Sequence, residues 1–312
     1  MRDLDLTTLR MFVSVCESRN IARAAELHNI VASAISKRLL LLEDAAGHRL
    51  IERHRRGVAP TAAGEILLEH ARAMLASADR VARDMADYGA GVRGQVRVLA
   101  TVSSIAEFLP DDIADFLQQP AHRDIRIDIE EAQSRDLVRG LREGIAPLGV
   151  CWDAADLEGF QTRPYRHDHL AIIAHPKHPI ARLKRCAFEQ TLDFDHVGLP
   201  ASTAVHTMLG RAAAIIGKPI NYRAVVSTFD ASLRCVRANL GIAVVPSEVA
   251  LPVAGSFGIK VSMLTDKWAQ RQFALCFQDE KRLSPAAKLL VGHLEALSKG
   301  RSQGGKVISK KA

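Results

Sequence analysis

The sequence predicts a mixed α/β protein in three parts: a small helical module, one long helix, and a larger domain where strands alternate with helices. Three observations carry the prediction. Residues 4–60 hold short helical patterns broken by small polar turns. Residues 67–88 repeat apolar positions at alternating steps of four and three. Beyond residue 94, short apolar strand-like runs alternate with helical patterns.

Composition narrows the class. The 312 residues suffice for more than one domain, and a hydrophobic content of 48% suits sizeable cores. The formal charge of +7 favours a polyanionic partner, since Lys and Arg displace counterions condensed on phosphates. Cys16, Cys151, Cys186, Cys235 and Cys276 are scattered, with neither zinc nor CxxC spacing. That odd set, with no signal-peptide pattern in "MRDLDLTTLRMF", suits a reducing, cytoplasmic location. No stretch approaches the roughly 20 apolar residues that span a bilayer, so no membrane partner is expected.

In the first part, Leu6, Leu9, Phe12, Val13 and Cys16 lie on one helical face. Asn20 is an N-cap residue for "IARAAELHN", a short Ala-rich helix that neighbours can approach closely. The stretch 28–43, "HNIVASAISKRLLLLE", puts Ile35, Leu39 and Leu42 toward a core. Ser33, Ser36, Lys37 and Leu40 share the opposite face. Gly47 and Gly57 then bracket a basic, hairpin-like turn carrying Arg53, Arg55 and Arg56.

Thr61 can cap the long helix, whose seam runs through Leu67, Ala71, Met74, Ala78, Val81, Met85 and Tyr88. Such a seam serves either a dimer or packing on its own domain. Three glycines in "GAGVRG" (89–94) make a flexible joint. Strand-like runs follow at "QVRVLA", "IRIDIE", "PLGVC", "LAIIA", "VGLP", "RAVVS", "IAVVP" and "QFALCF". Helical patterns between them ("IAEFLPDDIADFLQQ", "SRDLVRGLREG", "AVHTMLGRAAAIIG", "DASLRCVRANLG") predict a largely parallel sheet, or two, with room for two lobes. The basic, Gly/Ser-containing tail 299–312 is expected to be disordered.

Two short helices, a tight turn and a basic wing form a winged helix-turn-helix pattern, with the helix-turn-helix at about 21–40. DNA reading needs a slim helix with groups that reach base edges, and flanking cations that hold phosphates. Residues 28–43 supply the first, and Arg53, Arg55 and Arg56 supply the second. The plainer alternative is a three-helix module with a solvated basic loop. "RAAE", "AISKRL", "LE", G-x-R-L-x-x-R (47–53), R-x-G-V (55–58) and T-x-A-G (61–64) stand together at a spacing that resembles the N-terminal domain of LysR-type transcriptional regulators. "VRGLREG", "HPIA" and "FDASLRCVRANLGIAVVP" resemble that family's effector domain, so the likeness covers nearly the whole chain except the tail.

The resemblance implies a winged helix-turn-helix domain (1–60), a dimerisation helix (61–88), a hinge (89–94) and an effector-binding domain (95–298). That last domain would resemble periplasmic solute-binding proteins, with lobe I at 95–163 and 267–298 and lobe II at 164–266. The implied partners are double-stranded promoter DNA, a small-molecule effector, further copies of the chain (a dimer or dimer of dimers), and RNA polymerase. Neither cofactor nor metal is implied, and no enzymatic role. The DNA-contact candidates are Asn20, Ala32, Ser33, Ser36, Lys37, Arg38, Arg53, Arg55 and Arg56. Where the family often carries Ser-Gln-Pro, this chain has Val31, Ala32 and Ser33; Leu40 replaces a polar or basic residue, and Pro147 a frequent Asp. Ala32 cannot make the bidentate contact to adenine that Gln makes, so specificity would lean on thymine methyls, the wing or DNA shape.

Anionic ligands of two-lobed α/β domains, carboxylates among them, sit at strand C-termini and helix N-termini. The candidates here are Thr101, Ser103 and Ser104; Ser202 and Thr203; and Ser227, Thr228 and Phe229. Ordinary N-capping explains the same hydroxyls without a ligand. His167, His169, His175 and His178 lack, beyond Asp168, the surrounding Cys or carboxylate cluster of a zinc site. No G-x-S-x-G elbow occurs, and "GAGVRG" follows a helix where a dinucleotide fingerprint follows a strand. The competing class is a solute-binding or enzymatic α/β domain whose N-terminal helices serve assembly alone.

Overall fold

The computed structural model describes residues 4–54, 57–89, 94–153 and 155–304, with side chains for all of these but 80, 83, 84, 86–89 and 299–304. It divides into a smaller unit built mainly on residues 1–92 and a larger one built on 93–139 and 146–312. Arg55, Arg56, the Tyr88 side chain, joint residues 90–93 and tail residues 305–312 lie outside the described residues.

In the smaller unit, α1 (Leu6–Ser18) begins at Asp5, whose carboxylate accepts the Thr7 and Thr8 N–H groups at 3.1 and 3.0 Å. Hydrogen bonds from the Thr8 hydroxyl and the Thr7 N–H hold Asp5 below the usual carboxylate range. Asn20 caps α2 (Ile21–Leu27) as its position predicts, accepting from Ala22 and Arg23 N–H at 2.8 and 3.1 Å. Helix α3 (Ala32–Ala46) ends at Gly47, in the left-handed region at φ 70. Ile35, Leu39 and Leu42 enter the core with Leu9, Phe12, Val15 and Leu50, as the i, i+4, i+7 spacing requires.

Strands β1 (Ile51–His54) and β2 (Gly57–Pro60) pair antiparallel as the wing. Glu43 of α3 fixes its base, one carboxylate oxygen accepting the N–H groups of Leu50 and Ile51 at 2.8 and 3.1 Å. Thr61 caps α4 (Ala62–Gly89), accepting from Gly64 N–H at 3.0 Å while donating to the Arg49 carbonyl at 2.7 Å. This clasp brings the first turn of α4 onto the wing. A Cβ on Gly64 would stand 2.0 Å from the Leu50 carbonyl oxygen, so only glycine fits there.

The expected seam on α4 needs correction. Leu67 and Ala71 are 8% and 0% exposed and pack into this unit's own core beside Leu68 and Leu75. Met74 and Ala78 are half-buried, while Val81 and Met85 are exposed, as is Ile66, which the four-three pattern passed over. The first half of the repeat reflects intramolecular packing, which follows the same helical period as a coiled coil. Arg72 to Glu17 and Arg10 to Asp79 add ion pairs between α4 and α1.

The larger unit begins with β3 (Gly94–Ala100), α5 (Val102–Glu107), α6 (Leu109–Gln118), β4 (Ile125–Glu131), α7 (Ser134–Arg142) and β5 (Leu148–Trp152). The helix expected over 105–119 is broken at Phe108, because Pro110 fits only a first helical turn. A long strand, β6 (Gln161–Ala174), leads to β7 (Arg185–Cys186), β8 (Asp195–Gly198), α8 (Ala204–Ile216), β9 (Asn221–Val225), α9 (Phe229–Arg237) and β10 (Ala243–Pro246). The chain returns through α10 (Ser247–Ala250), α11 (Ala254–Phe257), β11 (Lys260–Leu264), β12 (Gln270–Phe277) and α12 (Pro285–Gly304). Helix α12 thus runs to Gly304, into the segment expected to be a disordered tail.

The strands form an order β4-β3-β5-β12-β6-β11-β7, with β10 also on β6. The sheet is mixed where a largely parallel one was expected: β12 runs antiparallel to β5 and β6, as do β10 and β11 to β6. The physical reason is the returning strand, which closes the first lobe after the second is built. Two cores result. One gathers Val96, Val98, Phe116, Tyr165, Phe273 and Leu290; the other gathers Leu170, Ile172, Phe188, Leu209, Val236 and Val245. The change of lobe falls along β6 between Tyr165 and Leu170.

Substituting Gly64→Ala is expected to destabilise the smaller unit by about 1–3 kcal/mol or more through forced overpacking. Gly292→Ala, where an added Cβ meets nothing within 4 Å, serves as the control and should stabilise α12 by up to about 1 kcal/mol. Urea unfolding followed by circular dichroism checks both.

Candidate nucleic-acid interface and ligand cleft

The outer face of α3 presents Ala32, Ser33, Lys37 and Leu40 to solvent, with Ser36 half-buried beside them. Its packed face is held by α1 and α2, so the outer face is rigidly displayed. Arg53 on β1 is exposed, as are Arg23 on α2 and Arg49 before the wing, two cations absent from the sequence candidates. Ser36 and Leu40 share a groove of about 560 Å³ with Arg49, Arg53 and His54 of the wing. Glu43 and Glu52 also line it; Glu43 is occupied by the wing's N–H groups, and Glu52 stands 3.6 Å from His54.

Two candidates have duties inside the domain. Arg38 donates to the Asp5 carboxylate and the Thr8 hydroxyl, both at 3.1 Å, tying α3 to the start of α1. Asn20 spends its side-chain oxygen on capping α2. Among the described residues, Ala32, Ser33, Ser36, Lys37 and Arg53 carry no such tie, and Arg55 and Arg56 lie outside the described residues.

In the larger unit a cavity of about 190 Å³ opens between the lobes. Thr101, Ser103, Gln133, Ser134 and Trp152 face Ser202, Thr203 and Ser227 across it, with Arg271 and Phe273 between. Gln133 Nε2 reaches across to Ser202 Oγ at 2.9 Å. A wider mouth of about 600 Å³ adds Arg135, Asp136 and Arg211. Five sequence candidates therefore meet here: Thr101, Ser103, Ser202, Thr203 and Ser227. Ser104 does not, since its hydroxyl turns inward onto the Thr101 carbonyl at 2.8 Å. Thr228 caps α9 through Ala231 N–H, and Phe229 is buried in the second core, so neither lines the cavity. Thr203 also caps α8, accepting from His206 N–H at 3.3 Å. Pro147 precedes β5, away from the cavity lining.

Sequence reasoning passed over the floor of this cleft. Arg271 stands directly opposite Asp168 in the β12–β6 ladder. Its Nε donates to Asp168 Oδ1 at 2.9 Å, its Nη2 to Asp168 Oδ2, and Nη2 also lies 3.4 Å from Ser103 Oγ and Glu107 Oε1. The side chains of Arg271, Asp168 and Glu107 are essentially inaccessible to solvent. Burial, with the Asp168 charge alongside, pushes the Glu107 carboxyl up to about 10 against the opposing pull of Arg271. One guanidinium neutralises one carboxylate, and the second keeps its proton. No apolar run or motif signals this set; its members lie far apart in the chain. A second polar set, Asp112 with Tyr165 and Arg166, is buried in lobe I. His167 is exposed, and His169 is held by the Leu264 carbonyl at 2.7 Å.

Comparison with known proteins matches residues 6–65 to the bacterial regulatory helix-turn-helix protein, lysR family, and residues 89–298 to the LysR substrate binding domain. A RuBisCO operon transcriptional regulator of Allochromatium vinosum is 27% identical over 295 residues, covering 91% of this chain and 93% of that protein. Among solved structures, CbnR, a LysR family transcriptional regulator, superposes with a TM-score of 0.68 at 20% identity over 95% of this chain and 99% of its own. Its complex with target DNA gives 0.66, at 20% identity over 94% of this chain and 100% of its own. The effector binding domain of QuiR in complex with shikimate gives 0.59 at 17% identity, over 66% of this chain and 98% of its own. Among the described residues no helix is long and apolar enough to cross a membrane.

The proton on Glu107 makes a pH prediction. Its folded-state affinity for the proton exceeds that in the unfolded chain, so its contribution to stability is complete below the ordinary carboxylate range and declines as pH rises toward about 10. Glu107→Gln mimics the protonated acid. It should leave the melting temperature near pH 4 little changed, raise it near pH 9, and flatten the slope between, as read by calorimetry.

Proposed function

The chain belongs to the LysR family of transcriptional regulators, DNA-binding proteins with an effector-binding domain, and from that premise we propose how its own residues perform the two tasks. The smaller unit binds promoter DNA sequence-specifically by placing α3 in the major groove and the wing against the flanking backbone. The observation that carries this reading is the single exposed face of α3 bearing Ala32, Ser33 and Lys37, with Arg53 exposed beside it on the wing. Lys37 and Arg53 hold phosphates and set register, together with Arg23 and Arg49, while the groups near the start of α3 meet base edges. Arg38 and Asn20 act through position, keeping α3 and α2 in place.

The interlobe cleft binds the effector, a small anionic molecule. Trp152 and Phe273 supply apolar walls, and the hydroxyls of Ser103, Ser202 and Ser227 with the amide of Gln133 supply orientation. An anionic group finds its complement at the first turn of α8, beside Ser202 and Thr203, and at Arg135 and Arg211 of the mouth. The Arg271 charge is already matched by Asp168, so the floor offers hydrogen bonds without a free positive charge. Residues from both lobes line the cavity, so a ligand that prefers one lobe spacing shifts the population toward it.

A dimer is the expected assembly, with the exposed apolar residues Ile66, Val81 and Met85 of α4 at its contact in place of Leu67 and Ala71. Two copies would present two α3 helices to a pseudo-palindromic site.

Fluorescence anisotropy with a duplex from the region upstream of this gene or its neighbours tests the DNA reading. Affinity should fall steeply with salt, and Lys37→Ala should weaken binding and lower the log–log salt slope by about 1. An absence of binding at low salt would overturn the assignment of DNA contact to α3 and the wing. A panel of small carboxylates, shikimate included, should contain compounds that raise the melting temperature; Ser202→Trp, which fills the cleft, should abolish that rise and leave DNA affinity unchanged. Sedimentation at micromolar concentration should show no monomer, and Val81→Glu with Met85→Glu should release it.

A further inference from the structure

Recognition by α3 is limited by the chemistry of its outer face. Ala32, Ser36 and Leu40 stand at i, i+4 and i+8 in one row; Ser33, Lys37 and Leu41 form the neighbouring row. Leu40 and Leu41 are 59% and 60% exposed, and Val31, just ahead of the helix, is 68% exposed. Between residues 32 and 41 the polar groups on these rows are two serine hydroxyls and one ammonium. Neither an amide nor a free guanidinium fork, the groups that pair bidentately with adenine or guanine, is present there. The one guanidinium of this stretch, Arg38, is engaged with Asp5 and Thr8.

Val31 adds a second, independent sign. It occupies the N-cap of α3 and makes no side-chain cap bond, at a position where Ser or Asp would stabilise the helix. An exposed β-branched residue there is a local cost to the helix. The major groove has one apolar group at its base edges, the C5 methyl of thymine.

We propose that α3 reads its site through thymine methyl groups, with Val31 and Ala32 at one end of the contact and Leu40 at the other. This rests on the DNA-binding reading above. Ser33 and Ser36 add single hydroxyl contacts, and Lys37 holds a phosphate. Eight residues of helix separate Ala32 from Leu40, about 12 Å, which spans roughly three to four base-pair steps. DNA is favoured over a second copy of the chain as the occupant of this face. Leu40 shares its groove with Arg49 and Arg53, and Lys37 projects from the adjacent row, which suits a polyanion. Each buried methyl is worth about fourfold in affinity.

The test uses the full-length protein and duplexes it enriches from a random pool. Each thymine of an enriched duplex is replaced singly by deoxyuridine, which keeps base pairing and removes the methyl alone. At least two thymines should then weaken binding by about fourfold each. In Val31→Ser, which gives the helix a better cap, the penalty should vanish at one subset of those thymines; in Leu40→Gln it should vanish at another. Uracil tolerated at every position overturns the proposal and leaves DNA binding standing. Failure to enrich any duplex at low salt removes the DNA-binding reading and the proposal with it. A Leu40→Gln change in sedimentation with an unaltered uracil response assigns that face to a second copy instead.

Discussion

The buried pair of Asp168 and Arg271 is the interaction on which the larger unit depends. The two residues face one another on β6 and β12, the strands that both lobes share, at the point where one hydrophobic core gives way to the other. Neither side chain meets water. Removing one partner alone would strand a buried charge, a loss of about 3–5 kcal/mol in comparable sites. Arg271 also forms part of the cleft floor, bonded toward Ser103, with its charge already matched by Asp168. The raised proton affinity of Glu107 comes first from its burial and then from the Asp168 charge beside it, which together outweigh the pull of Arg271.

The smaller unit is organised by backbone atoms. The Leu50 carbonyl accepts from Thr61 N–H and lies against Gly64, and the Arg19 carbonyl accepts from Val58 N–H. With Glu43 at the wing base, these contacts set the wing relative to α3 without using any side chain on its exposed outer face. The outer face of α3 is therefore not needed to hold the scaffold together.

Some features were legible in the residues and some were not. Helix α1, the N-cap at Asn20, the core positions Ile35, Leu39 and Leu42, and the cap at Thr61 follow from local spacing, and local spacing is what periodicity and capping report. Strand β6 was only half visible. Its C-terminal run "LAIIA" is apolar, whereas "QTRPYRHDH" carries charges and a proline that argue against a strand. Arg166 and Asp168 are buried there nonetheless, because Asp112 and Arg271 meet them from distant segments. In the cleft, Thr101, Ser103, Ser202, Thr203 and Ser227 were found by their place ahead of helices, while Gln133, Trp152 and Arg271 carried no local signal. The α4 seam misled at Leu67 and Ala71, since a helix packed on its own domain shows the same period as one packed on a partner.

The sequence by itself determined the class of the chain, its division into a helical reader and an α/β domain, and the sparse polar content of the α3 outer face. Local patterns of caps, heptads and strand runs encode these directly. Only the tertiary structure decided which hydroxyls face the cleft, which cations are committed inside a domain, and which carboxylate keeps its proton. Those outcomes depend on the loss of water around groups far apart in the chain, and burial of that kind leaves no trace in the spacing of any one segment.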